Sequence, residues 1–227
     1  MTMALQSLWR NCRKLGRPTG GRKPLPPLLF FTDPVRTPDP ATILARLPRG
    51  AGVVFRPFGA PDALSEGRRF ARLARRRGIA LFVGADAALA VALRADGVHL
   101  PERLAYRRGV VRRLQRRFIV TAAAHSLPAI RRARHSGVDA VVISPIFPSS
   151  SPSAGRPLGA RRFAVLVRVA GVPVYGLGGV NAATSRQLVT SGAVGLAAVD
   201  GLSGAQAGAK EARDPAVDAH PPDRARS

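Results

Sequence analysis

Eight short apolar runs, separated by amphipathic stretches, follow one another between residues 28 and 202, and this order restricts the chain more than any other feature. The runs are "LLFFT", "GVVFR", "IALFVG", "GVHL", "FIVTAAA", "AVVIS", "PVYGLG" and "GLAAV". They are rich in β-branched and aromatic residues and short enough to be parallel strands buried on both faces. The stretches between them run near "PATILARL", "DALSEGRRFARLARRR", "DAALAVALRA", "RRGVVRRLQRR", "SLPAIRRARHS", "ARRFAVLVRVA" and "NAATSRQLVTSG". Several open on Asp, Ser or Asn as caps and close near Gly, the punctuation of helices. Strand and helix in alternation predict an α/β fold, a closed (β/α)8 TIM barrel formed as one compact domain with disordered termini. An open doubly wound sheet is the second arrangement that this order allows.

A chain of 227 residues suits one domain. Residues 28–202 carry the barrel pattern. Residues 1–27 are basic, contain no acidic side chain and end in Gly and Pro, which reads as a flexible leader. Within it, Met3, Leu5, Leu8 and Trp9 have the spacing of a short amphipathic turn, as in an organellar presequence. Residues 203–227 are poor in large apolar side chains and read as a disordered tail. No apolar run approaches the roughly 20 residues that span a bilayer, and the N-terminus lacks a secretory pattern, so a cytoplasmic protein is expected, with no membrane contact. The one cysteine, Cys12, offers neither a disulfide framework nor a cysteine zinc cluster.

The formal net charge is +23, a field that attracts polyanions. Its arginines are scattered through helical stretches without the interleaved aromatics that stack bases, so the reading is a solvated surface, and nucleic acid is not the expected partner.

In a barrel the active site lies where the strands end. The loop after the sixth run, "SPIFPSSSPSAGRPLG", is rich in hydroxyls, and "GLGGVNAATS" after the seventh leads toward a helix start. Such loops make an anion cradle, because Gly lets backbone N–H groups approach and a helix N-terminus favours negative charge. Ser149, Ser151, Gly178 and Gly179 are the expected phosphate-binding residues, with Arg56 and Arg156 as charge partners. His125 sits at a strand end, where capping the next helix competes with catalysis; His99 is either a core histidine or a ligand contact. His135 and His220 lie in a helix and a tail. Asp96 and Asp139 precede strands, on the stability face. Asp33 is either an Asx turn before Pro34 or a metal ligand.

The motifs "ADGVHL", "AAHS", "SPIFPSSS", "PLG" and "YGLGGVNAATSRQLVTSGAVGLAAV" resemble, in order and spacing over residues 28–202, thiamine phosphate synthase and its sister, the thiazole tautomerase. The resemblance implies an enzyme of thiamine biosynthesis in which a thiazole phosphate displaces pyrophosphate from a pyrimidine pyrophosphate, with Mg²⁺ on the leaving group. It implies phosphorylated small-molecule substrates and leaves a homo-oligomer open. Where the family's second strand ends in Q-x-R-x-K, this chain has Val54, Arg56 and Phe58. The Asn-Asp after the third strand is Gly84 and Ala85, followed by Asp86. The fourth-strand H-L-G-Q-x-D becomes His99, Leu100, Pro101, Glu102, Arg103 and Leu104. The serine after the fifth strand falls at Ala123, and the T-x-T-K of the sixth loop at Ser149, Ser151 and Pro152. The tautomerase histidine falls at Pro145, and the last strand's serine is replaced by Asp200. Arg56, Asp86 and Glu102 are the catalytic residues the resemblance points to, with the magnesium carboxylates open among Asp33, Asp86 and Glu102. The alternative is a non-catalytic or re-purposed phosphate-ligand-binding barrel of the same superfamily.

Overall fold

Each apolar run becomes one parallel strand: β1 (Leu28–Phe31), β2 (Gly52–Phe55), β3 (Ala80–Gly84), β4 (Gly97–Leu100), β5 (Ile119–Ala124), β6 (Ala140–Ile143), β7 (Val174–Gly176) and β8 (Gly195–Ala198). The strands pair in sequence order, and β8 returns to β1 with Leu29 opposite Ala197, so the sheet closes into a barrel. The computed structural model describes residues 1–16, 24–151 and 155–202. Helices on the outside are α1 (Met3–Arg13), α2 (Pro40–Arg46), α3 (Ala63–Arg77), α4 (Ala87–Ala92), α5 (Glu102–Ala105), α6 (Arg108–Gln115), α7 (Leu127–Ser136) and α8 (Gly159–Ala170). The architecture is the (β/α)8 barrel that the alternation implied.

Strand period 2 sorts the side chains into two cores. Leu29, Phe31, Val54, Phe82, Ile119, Val142 and Tyr175 pack inside the barrel. Their neighbours Leu28, Phe30, Val53, Phe55, Leu81 and Val83 point outward under the helices. A Cβ on Gly97 would run into the Phe82 ring, so the smallest residue in β4 makes room for a large one in β3. Below the barrel, Asp96 accepts from the Leu81 N–H at 2.8 Å and Asp139 from the Val120 N–H at 2.7 Å. Both aspartates satisfy strand donors at the stability face.

Two elements differ from the sequence reading. The expected leader is, over its first part, α1: Thr2 caps it, and Leu5, Leu8, Cys12 and Leu15 are buried. It packs against β8 and a 3-10 turn at Thr184–Leu188, with Asn11 donating to the Ser185 hydroxyl at 2.9 Å. Burial pushes the Cys12 thiol up to about 12, so it is an inert core group. The helix expected in "NAATSRQLVTSG" is only that five-residue turn. Its hydroxyls bond locally, Ser185 to the Ala182 carbonyl and Ser191 to the Leu188 carbonyl, which competes with helix propagation. Residues 17–23 of the expected leader and the 203–227 tail lie outside the described residues.

Candidate active site

Inward residues of the top layer, among them Phe31, His99, Ser144 and Leu177, form the floor of a cavity of about 740 Å³ at the C-terminal ends of the strands. Arg56 stands on one side of it, just after β2. Its Nε donates to the Thr32 carbonyl at 2.7 Å, and its NH2 lies 3.4 Å from the Asp33 carboxylate. The guanidinium is 5.5 Å from the Phe31 ring centroid and 5.0 Å from that of Phe58. A Cβ on Gly84 would sit 3.0 Å from the Arg56 stem, so the glycine admits that side chain to the wall. Burial, opposed by Asp33 and reinforced by Arg36, lowers the Arg56 pKa to about 10, which leaves it charged at neutral pH.

Asp33 forms the Asx turn: Oδ1 accepts from the N–H groups of Val35 and Arg36. Its Oδ2 also pairs with Arg36 at 3.0 Å. Burial would raise its pKa, but the hydrogen bonds and charge of Arg36 prevail and hold it below the ordinary carboxylate range. Arg36 lines the cavity and went unnoticed in the sequence, where the signal was the i, i+3 spacing from Asp33. His99 contacts Thr121 Oγ1 through Nδ1 at 3.0 Å and meets Phe31 edge to face at 5.0 Å. Burial, then the charge of Arg56, pushes its pKa down to about 3, so the imidazole is neutral.

On the opposite side, four strands round the closed ring, the loops after β6 and β7 are zipped together. Ile146 donates to the Leu177 carbonyl at 2.9 Å and Phe147 to the Gly178 carbonyl at 3.0 Å. Gly178 and Gly179 have φ of 94° and 63°. A Cβ on Gly178 would lie 2.8 Å from Pro145 Cα, and one on Gly179 would strike the Pro148 carbonyl. Their N–H groups have no acceptor among the described residues, and both glycines line the cavity with Ser149 and Ser151. The donors at the start of the following turn are not open, because Asn181 Oδ1 accepts from the N–H groups of Ala183 and Thr184. The anion-receptive backbone is therefore the double glycine rather than a helix N-terminus.

The other expected residues divide. Asp86 lines the cavity but caps α4, accepting from the Leu89 N–H at 2.8 Å. Glu102 is turned away from the cavity: it accepts from the His125 N–H at 2.9 Å and faces Arg132 at 3.6 Å. Arg156 is exposed and does not line the cavity, and Pro152 lies outside the described residues. Capping of α7 belongs to Ser126 rather than His125. His125 lines the cavity, with Nδ1 at 2.9 Å from the Ser144 carbonyl; an Nδ1–H donated there leaves Nε2 as the basic ring atom.

The carboxylates that the resemblance offers for magnesium each have a protein partner. Among the described residues no three of His, Cys, Asp or Glu converge. Asp33 is held by two arginines, Asp86 caps a helix, Glu102 faces Arg132, and Asp200 accepts from the Ser150 hydroxyl at 3.0 Å. No step is assigned to a metal.

A family model described as thiamine monophosphate synthase matches residues 32–202. The chain is 37% identical over 111 residues to a putative thiamine-phosphate synthase 2 of Aquifex aeolicus, covering 49% of this chain and 59% of that protein. It is 31% identical over 147 residues to a thiamine-phosphate synthase of Roseiflexus, covering 64% and 62%. The chain thus spans about three fifths of the length of these two curated relatives. Among solved structures, a thiamine phosphate pyrophosphorylase from Pyrococcus furiosus superposes with a TM-score of 0.65 at 22% identity, over 78% of this chain and 90% of that one, a likeness of fold. With the matched residues running from the end of β1 to the turn after β8, the chain belongs to the thiamine monophosphate synthase family.

Proposed function

We propose that this thiamine phosphate synthase-like protein joins a pyrimidine pyrophosphate to a thiazole phosphate with release of pyrophosphate, in the cytoplasm. The observation that carries this reading is one cavity with anion-receptive groups at two opposite walls: the Arg56 guanidinium on one, and on the other the N–H groups of Gly178 and Gly179, which have no acceptor among the described residues, beside Ser149 and Ser151. The reaction has two anionic ends, a leaving pyrophosphate and a spectator phosphate, and each needs preorganised donors. Arg56 is oriented before any ligand arrives, because Thr32, Asp33 and two aromatic rings fix it. It stabilises the charge that collects as pyrophosphate departs, while the glycine loop anchors the thiazole phosphate.

A second reading, a phosphate-ligand binder without turnover, is favoured by Val54, Phe58, Gly84, Ala85, Leu104 and Pro152 at positions that are polar in the resemblance. An assay of the purified protein with both substrates, with and without Mg²⁺, separates the two, alongside complementation of a strain lacking thiamine phosphate synthase. Turnover that falls about 10²–10³-fold in Arg56→Ala supports the transferase. Calorimetric binding of thiazole phosphate with neither turnover nor growth supports the binder, and no binding of thiazole phosphate, pyrophosphate or inorganic phosphate overturns both.

A further inference from the structure

Phe58 is a large apolar side chain in a costly place. It follows Pro57 in a tight turn closed by the Ala60 N–H on the Pro57 carbonyl at 2.9 Å, and both central residues have positive φ, Phe58 at 49° and Gly59 at 82°. Turns of that pattern favour Asn, Asp or Gly at the first central position, and a bulky residue there is strained. Nor does burial compensate, since Phe58 is 63% exposed. One ring face carries the Arg56 guanidinium at 5.0 Å, and the ring lines the cavity mouth.

We propose that Phe58 is a stacking platform for the planar heteroaromatic ring of a phosphorylated ligand, and so a specificity-determining residue of this cavity. The proposal rests on the phosphate-ligand reading above. A heteroaromatic ring laid on the open face of Phe58 removes that face from water and completes a stack whose lower layer is Arg56. Planar rings gain from such a partner whatever their hydrogen-bonding edges, as bases do on aromatic side chains. Merely bracing Arg56 is the competing role, and the ligand series below separates it from stacking.

Calorimetric titrations of the full chain use three probes: thiazole phosphate, ethyl phosphate, which has the phosphate without the ring, and the thiazole alcohol, which has the ring without the phosphate. The variants are Phe58→Leu, which keeps apolar bulk, Phe58→Asn, which suits the turn, and Phe58→Tyr. The expected result is that wild type binds thiazole phosphate about 10-fold more tightly than ethyl phosphate (about 1.4 kcal/mol). That preference falls to about 2-fold or less in the Leu and Asn variants and is kept by Tyr, with the ethyl phosphate affinity unchanged throughout. An unchanged preference for thiazole phosphate over ethyl phosphate in the Leu and Asn variants overturns the proposal and leaves Phe58 as a brace for Arg56. Equal binding of both compounds by wild type overturns the platform and leaves the phosphate reading intact. Failure of either phosphate compound to bind, with the alcohol still held and lost in Phe58→Leu, removes the phosphate reading and keeps the platform; failure of all three overturns both.

Discussion

Arg56 NH2 lies 3.4 Å from Asp33 Oδ2, a contact that ties the end of β2 to the loop after β1 at the cavity rim. The same carboxylate oxygen holds Arg36 at 3.0 Å, so one negative charge organises two positive ones. Asp33→Asn is expected to lower stability by about 1.5–3 kcal/mol near neutral pH, the range for hydrogen bonds to charged groups. The folded pKa of Asp33 is depressed, so its contribution is full above the ordinary carboxylate range and is lost as pH falls through the folded value. Thermal melts of wild type and variant should differ near pH 7 and converge in strong acid. Equal melting temperatures at neutral pH contradict the prediction.

His99 titrates in another window. Its folded pKa of about 3 lies below the unfolded value of 6.5, so the unfolded chain takes up the proton first. Stability is therefore full above about pH 6.5 and declines as pH falls toward about 3, with a limiting slope of about 1.4 kcal/mol per pH unit. His99→Gln should flatten the decline between about pH 6 and pH 4. Denaturant melts across that interval measure it, and an unchanged slope places the proton uptake elsewhere.

Gly179→Ala combines a φ of 63° with a Cβ driven into the Pro148 carbonyl. It is expected to cost about 1–3 kcal/mol of stability, as for other residues forced into rare backbone regions. Binding of thiazole phosphate should weaken by at least about 10-fold, since one lost donor contact is worth that much. Differential scanning calorimetry and titration read the two effects; normal binding in a destabilised variant would detach the glycine loop from the phosphate.

Leu8→Ala tests whether α1 belongs to the barrel unit. Leu8 is fully buried, so its truncation should lower stability by about 2–5 kcal/mol, the range for a core leucine. Chemical denaturation of the purified variant gives the value. A loss below about 0.5 kcal/mol, normal for a surface position, would return the segment to a detached leader.

At the site, the sequence revealed positions better than roles. Gly178, Gly179, Ser149 and Ser151 are neighbours in two loops, and barrel order alone brings those loops together at one wall. Glu102 was legible as a carboxylate near a strand end, yet its partners, His125 just after β5 and Arg132 in α7, draw it out of the cavity. Asp33 carried its Asx turn in the local motif, whereas its second arginine arrives from the next strand. Phe58 stood out only as a residue where the family pattern has lysine; its positive φ, exposure and contact with Arg56 exist only in the folded chain.

Strand period and strict alternation with helices were determined by the sequence itself, because each rests on the spacing of apolar residues a few positions apart; closure into a barrel rather than an open sheet came from the pairing of β1 with β8. Tertiary structure decided what distant partners decide. The stripe of Leu5, Leu8, Cys12 and Leu15 could bury itself or fray, and its place is set by β8 and the Thr184–Leu188 turn, more than 160 residues away. That turn in turn stays short where hydroxyls bond locally and Asn11 supplies the contact with Ser185. Charge follows the same rule: whether a carboxylate serves a metal, a helix cap or an arginine depends on what folding places within about 4 Å, and no local pattern encodes that distance.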